Sequence, residues 1–177
     1  MTWLALLLPG GGYTTAQPLF HYTDQLLRHL GATTRHLTYP SRDDPDVTAQ
    51  LHDTADHDRV TLVGKSLGTA AMSRLLDHPL PARTDAVWLT PLFGRPEVRH
   101  AAATCPWRSL YVVGLADLYH HPDAHAGLPG HTLALPDADH RLDVPGDVHR
   151  SLAHLATVLA ALDAFLRDPA TPETLDG

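Results

Sequence analysis

Val60-Thr61-Leu62-Val63-Gly64-Lys65-Ser66-Leu67-Gly68-Thr69 is the stretch that decides the fold. An apolar, β-branched run stops at Gly64, Ser66 follows two residues later, and Gly68 opens a segment that reads as a helix to about Leu76. This is G-x-S-x-G between a strand and a helix, the setting that gives the motif chemical meaning. The turn is so tight that only glycine fits on either side of the serine without a Cβ clash. The Ser66 hydroxyl is thereby pushed out at the strand's C-terminal end, beside the positive end of the following helix, where a nucleophile is both exposed and activated.

Outward from this elbow, short apolar runs alternate with longer helical patterns, the signature of βαβ units and a parallel sheet. Strands are predicted at Trp3–Leu8, Thr34–Tyr39, Val60–Val63, Ala86–Leu89, Leu110–Val113 and Thr132–Leu135. Helices are predicted at Pro18–Leu30, Pro45–Ala55, Leu67–Leu76, Pro96–Ala103 and Pro122–Ala126. A long last helix is predicted over Asp147–Leu166, with leucines at helical spacing and Asp147 as its N-cap. The chain reads as one domain, residues 1–168, with a loose tail over residues 169–177. Helices on both faces of a parallel sheet leave its strands apolar on both sides, and sites then form past the strands' C-terminal ends.

Four such ends carry chemistry. Pro9-Gly10-Gly11-Gly12-Tyr13 follows the first strand; three glycines let bare backbone present N–H groups into a concavity, as an oxyanion hole requires. Neither G-x-x-x-x-G-K-[ST] nor G-x-G-x-x-G is present, which argues against a phosphate loop. Ser66 follows the third strand, Asp117 the fifth and His140 the sixth. A serine hydroxyl becomes a nucleophile when an imidazole takes its proton, and a carboxylate must fix that imidazole's tautomer. Asp137 and Asp139 lie beside His140 but on its own short loop, so Asp117 is the acid able to reach the far ring nitrogen.

At these residues the chain resembles the α/β-hydrolase family, and more narrowly a group of small bacterial serine hydrolases without a cap. The resemblance runs from Trp3 to about Leu166 and rests on Leu8–Thr14, Val63–Thr69, Trp88–Leu92 and Ala138-Asp139-His140. It implies a minimal α/β-hydrolase fold, a three-layer sandwich whose six parallel strands follow the order 2-1-3-4-5-6. It implies catalytic Ser66, Asp117 and His140, and an oxyanion hole of the Leu67 and Gly11 N–H groups. Gly12 is the alternative to Gly11, because Pro9-Gly10 stands where many family members carry His-Gly. The family's two N-terminal antiparallel strands are missing, and no long insertion follows the fourth strand, so the site is expected to be open on top.

The expected reaction is hydrolysis of an ester, thioester or related acyl compound, a small molecule, without a cofactor. Gly12, Tyr13, Leu92, Phe93, Leu118 and Tyr119 are the candidate substrate-lining residues. A non-hydrolytic transferase, cyclase or lyase on the same scaffold is the first rival, and a binding module with a relic triad the second.

Composition narrows the remaining choices. A net charge of −7 without a basic cluster argues against nucleic acid as a partner. The opening Trp3–Leu8 run is too short for a signal segment, and no run has the length to span a membrane. One cysteine, Cys105, fits a reducing, cytoplasmic setting. The 14 histidines invite a metal reading, with His121 and His125 four apart. A zinc site wants three or four ligands, however, so solvated loop histidines are expected and no metal is predicted. Lys65 is the chain's single lysine against twelve arginines; it reads as a filler laying its stem along the sheet, with anion binding the alternative.

Overall fold

The computed structural model describes residues 1–41, 43–125 and 127–167. Six strands form one sheet: β1 (Trp3–Leu8), β2 (Thr33–His36), β3 (Arg59–Lys65), β4 (Thr84–Leu89), β5 (Arg108–Gly114) and β6 (His131–Leu135). Their order is β2-β1-β3-β4-β5-β6 and every pairing is parallel, as the sequence predicts. Among the described residues five α-helices accompany them: α1 (Pro18–His29), α2 (Leu67–Ser73), α3 (Pro96–Thr104), α4 (Pro122–His125) and α5 (Val148–Arg167).

Side chains alternate across each strand, so the central strands feed two cores. Leu4, Leu6, Leu8, Leu62 and Trp88 join Ala71 and Met72 of α2 and Val98 of α3 on one face. Ala5, Leu7, Val63, Val87 and Val112 meet Phe20 and Leu27 of α1 and Val158, Leu162 and Phe165 of α5 on the other. The double cover explains why these strands read as unbroken apolar runs. The edge strands differ, β2 and β6 being largely exposed or half-buried, so the expectation of two apolar faces holds for the four inner strands only.

The predicted helix over Pro45–Ala55 does not form. Two 3₁₀ turns, Thr48–Gln50 and Thr54–Asp56, stand in its place. Val47 and Leu51 are both buried, which accounts for the helical spacing. The polar groups between them are spent on other partners. The Gln50 side chain pairs with both backbone groups of Thr38, and the Gln50 carbonyl accepts a hydrogen bond from Arg35, which also holds the Asp53 carboxylate. A carbonyl so engaged is lost to an i+4 ladder. Strand β2 ends at His36 rather than at Tyr39, and the backbone groups of Thr38 are held by the Gln50 side chain instead of a strand. Asp147 caps α5 through the Arg150 N–H at 3.0 Å. The expected tail over 169–177 lies outside the described residues, as does Ala126, the last residue of the helix predicted at Pro122–Ala126.

Register fixes where the site lies. Leu8 is level with Gly64, Lys65 with Leu89, Leu89 with Val112, and Gly114 with Leu135. The loops after β1, β3, β4, β5 and β6 therefore leave one rim of the sheet together.

Candidate active site

Ser66 sits between β3 and α2 with φ 52° and ψ −112°. Positive φ costs a non-glycine residue free energy, and strain of this kind persists only where surrounding packing enforces it. The two flanking glycines show the enforcement. A Cβ on Gly68 would lie 2.0 Å from the Leu8 carbonyl oxygen, and one on Gly64 would lie 2.3 Å from Met72 Sδ. Helix α2 is thus pressed against β1 and β3 at backbone distance, and the Ser66 side chain is left on the rim.

His140 arrives on the β6–α5 loop. Its Nε2 lies 2.8 Å from Ser66 Oγ, and its Nδ1 lies 2.7 Å from Asp117 Oδ2. The other Asp117 oxygen accepts the Tyr119 N–H at 2.8 Å. Asp117 is 7% exposed. Burial opposes its charge, but hydrogen bonds from His140 and the Tyr119 N–H, with the nearby Lys65 charge, hold its pKa below the usual carboxylate value. The two loops are tied directly, Ala116 N–H donating to the Ala138 carbonyl at 2.9 Å. Gly114 makes the approach possible, since a Cβ there would lie 2.4 Å from the Ala138 oxygen.

The glycine loop faces Ser66 from β1. Gly10 N–H is used by the Tyr13 carbonyl, and Tyr39 Oη donates to the Pro9 carbonyl at 2.7 Å. Among the described residues no acceptor engages the N–H of Gly11, of Gly12 or of Leu67, the first residue of α2. All three residues line the same cavity as Ser66 and His140, which has a volume of about 620 Å³. Leu92, Gly94, Arg95, Tyr119 and Asp43 complete its wall. The Tyr119 ring meets the His140 ring edge-on, centroids 4.8 Å apart. Residues 90–107, between β4 and β5, hold only α3 and its flanking turns.

Three of the expected lining residues fall outside this cavity. Phe93 is 1% exposed and belongs to the core beneath the rim; Leu92 and Phe93 share a turn, and the second points inward. Leu118 is 95% exposed on the loop after Asp117 and lines no part of the cavity. Tyr13 instead lines a smaller space of about 210 Å³ with Gly10, Gly11, Gly12, Lys65, Ser66, His140 and Arg141. Arg95 and Asp43 were not legible as wall residues, because both belong to irregular segments without a period.

Lys65 lies beneath the rim with its stem buried, as the filler reading expects, and its ammonium adds something that reading leaves out. The residue is 1% exposed, and its ammonium is bonded inside the protein at two acceptors. The histidines after Asp117 are also less solvated than expected. The His120 and His125 rings stack at 4.8 Å, and the Nδ1 of each is buried with no hydrogen-bond partner among the described residues. Among the described residues no group of three or more His, Cys, Asp or Glu is placed to hold a metal ion. No helix among them is long and apolar enough to cross a membrane.

No protein-family model matches the sequence. No curated protein matches it at a significant level. Solved structures do. An α/β serine hydrolase without lid from Xanthomonas campestris superposes with a TM-score of 0.68 at 20% identity, over 96% of this chain and 84% of that one. The chain has the α/β-hydrolase fold. A dienelactone hydrolase from Anabaena variabilis has the same α/β-hydrolase fold with a TM-score of 0.65 at 19% identity, covering 93% and 85%. Est1E from Butyrivibrio proteoclasticus, solved with ferulic acid, gives 0.66 at 13%, covering 92% and 87%. Among the described residues this α/β-hydrolase fold has six parallel strands, and the loops after the third, fifth and sixth bring Ser66, Asp117 and His140 to one rim.

Proposed function

We propose that the chain is a serine hydrolase that cleaves an ester, thioester or related acyl compound through an acyl-enzyme on Ser66. The observation that carries this reading is the unbroken line Ser66 Oγ, His140 Nε2, His140 Nδ1, Asp117 Oδ2, at 2.8 and 2.7 Å. Ser66 Oγ attacks the acyl carbonyl carbon as His140 Nε2 takes the hydroxyl proton. Asp117 holds the resulting imidazolium, while the Leu67 and Gly11 N–H groups receive the oxyanion. Collapse breaks the carbon–heteroatom bond, and the leaving group departs with the proton from His140. Water then attacks the acyl carbon with His140 again as base, releasing the acid and restoring Ser66.

The names of the structural neighbours, an esterase and a dienelactone hydrolase among them, support the same class. The cavity over Ser66 suits a small acyl substrate, with Gly12, Leu92 and Tyr119 as walls. Cytoplasmic residence is proposed with it, since the single thiol, Cys105, is buried and free.

The test is a fluorophosphonate probe with mass-spectrometric mapping, beside p-nitrophenyl acetate hydrolysis. Labelling at Ser66, absent in Ser66→Ala, with matching loss of turnover, is the expected result. Labelling at another residue, or none, overturns the acyl-enzyme and favours a non-hydrolytic reaction on this scaffold.

A further inference from the structure

A buried ammonium is costly unless it is satisfied, and Lys65 is the only lysine in the chain. Its Nζ donates to the backbone carbonyl of His140 at 2.6 Å and to Thr90 Oγ1 at 2.8 Å. It also lies 4.8 Å from the centre of the Tyr13 ring, a cation–π contact. Among the described residues no carboxylate comes within ion-pair distance of it. The charge is therefore turned towards the main chain of the residue that serves as base. Thr90 reinforces the impression of a built arrangement. It adopts φ 43°, an outlier for a β-branched residue, and is 1% exposed.

Two consecutive residues thus grip one histidine at two points. Ser66 Oγ meets its ring at Nε2, and Lys65 Nζ meets its carbonyl from below. We propose that Lys65 is a positioning residue, whose ammonium fixes the His140 backbone to the end of β3 so that nucleophile and base are set from the same dipeptide. The inference rests on the serine-hydrolase reading for its effect on rate. It assigns Lys65 neither to substrate anions nor to simple filling. Protein acceptors take two of the three ammonium N–H groups and the third faces the Tyr13 ring. Although Lys65 borders the small space beside Ser66, its charge is thus already engaged inside the protein.

The test compares wild type, Lys65→Met and Lys65→Gln with p-nitrophenyl acetate, an anionic ester and the fluorophosphonate probe. Methionine keeps the stem and removes the donor; glutamine restores a donor. In Lys65→Met, kcat should fall about a hundredfold, the scale of a small misplacement of a reacting group. KM for both esters should stay within about twofold, since no ground-state contact is lost. Ser66 labelling should slow in proportion, and Lys65→Gln should recover part of kcat. An unchanged kcat, or a loss confined to KM for the anionic ester, overturns the proposal. Should Lys65→Met fail to fold, Lys65→Gln carries the comparison alone, its kcat expected below wild type with KM unchanged. A separate readout is the downfield proton NMR signal of the His140–Asp117 hydrogen bond. It should broaden or vanish in whichever variant folds, and a sharp unchanged signal counts against Lys65. If wild-type protein neither labels nor turns over, the hydrolase reading fails while this signal still decides the positioning role.

Discussion

His140 Nδ1 lies 2.7 Å from Asp117 Oδ2 across two loops that leave neighbouring strands, while Asp137 and Asp139 on the histidine's own loop face elsewhere. Asp137 pairs with Arg150 on the surface, and Asp139 Oδ1 accepts the N–H groups of Arg141 and Asp143. Asp117→Asn should cut kcat by about ten thousandfold, the scale seen when an imidazole is left in the wrong tautomer. Asp137→Asn should alter it less than about twofold, as a surface pair does. Steady-state kinetics on the two variants checks the ranking, and its reversal would reassign the acid.

At the opposite end of the sheet, Asp85 is 3% exposed and binds both Arg59 and Arg108. Arg59 lies over the Trp3 ring and donates to the Leu166 carbonyl, joining α5 to the sheet. Removing one partner of a buried pair strands the other's charge. Asp85→Ala should therefore lower unfolding free energy by about 3–5 kcal/mol in urea titrations. The rate per folded molecule should be unchanged, because this network lies at the far ends of the strands.

The rim was readable because buried parallel strands leave long apolar runs that stop abruptly, and the residue after each stop is then a site candidate. Ser66, Asp117 and His140 were found in that way. What was hidden depends on partners remote in sequence. Lys65 meets Thr90 and His140, 25 and 75 residues away, and no local pattern marks either contact. The absent helix after Pro45 is the same case, its Gln50 claimed by Thr38 and Arg35. Phe93 and Leu118 were misplaced because a turn has no period to say which side chain faces the cavity.

Gly114 is the closest approach between the acid and histidine loops, with the Ala138 and Asp139 carbonyl oxygens 2.4 and 2.7 Å from where a Cβ would stand. Backbone on both sides leaves nothing flexible to yield. Gly114→Ala should push the His140 loop off the sheet, costing about 1–3 kcal/mol of stability as overpacking does. It should also reduce kcat about tenfold or more, since Nε2 leaves Ser66 Oγ. A variant that is destabilised yet fully active would mean that the loop moves without its histidine.

Burial is the main reason that the Lys65 pKa falls from its ordinary 10.5 to about 8, the Asp117, Asp139 and Asp143 carboxylates opposing the shift and Arg141 adding to it. The folded chain thus binds this proton less tightly than the unfolded chain does. Between about pH 8 and 10.5 the unfolded state holds more protons, so stability should rise with pH across that window. The full gain is on the order of 3 kcal/mol for a group this buried. The Cys105 thiol, raised by burial from its ordinary 9.0, acts in the opposite sense once pH passes that value. Tyr111, raised by burial to about 12, does so past its ordinary 10.0, as do the buried Tyr13 and Tyr39. The clean part of the window therefore ends near pH 9, and the comparison with Lys65→Met cancels the rest. Urea midpoints at pH 7.5, 9 and 10 should therefore climb in wild type relative to Lys65→Met, which has no ammonium to discharge. Parallel pH profiles for the two proteins would mean that Lys65 keeps its ordinary affinity for the proton, and that its ammonium is not held dry beneath His140.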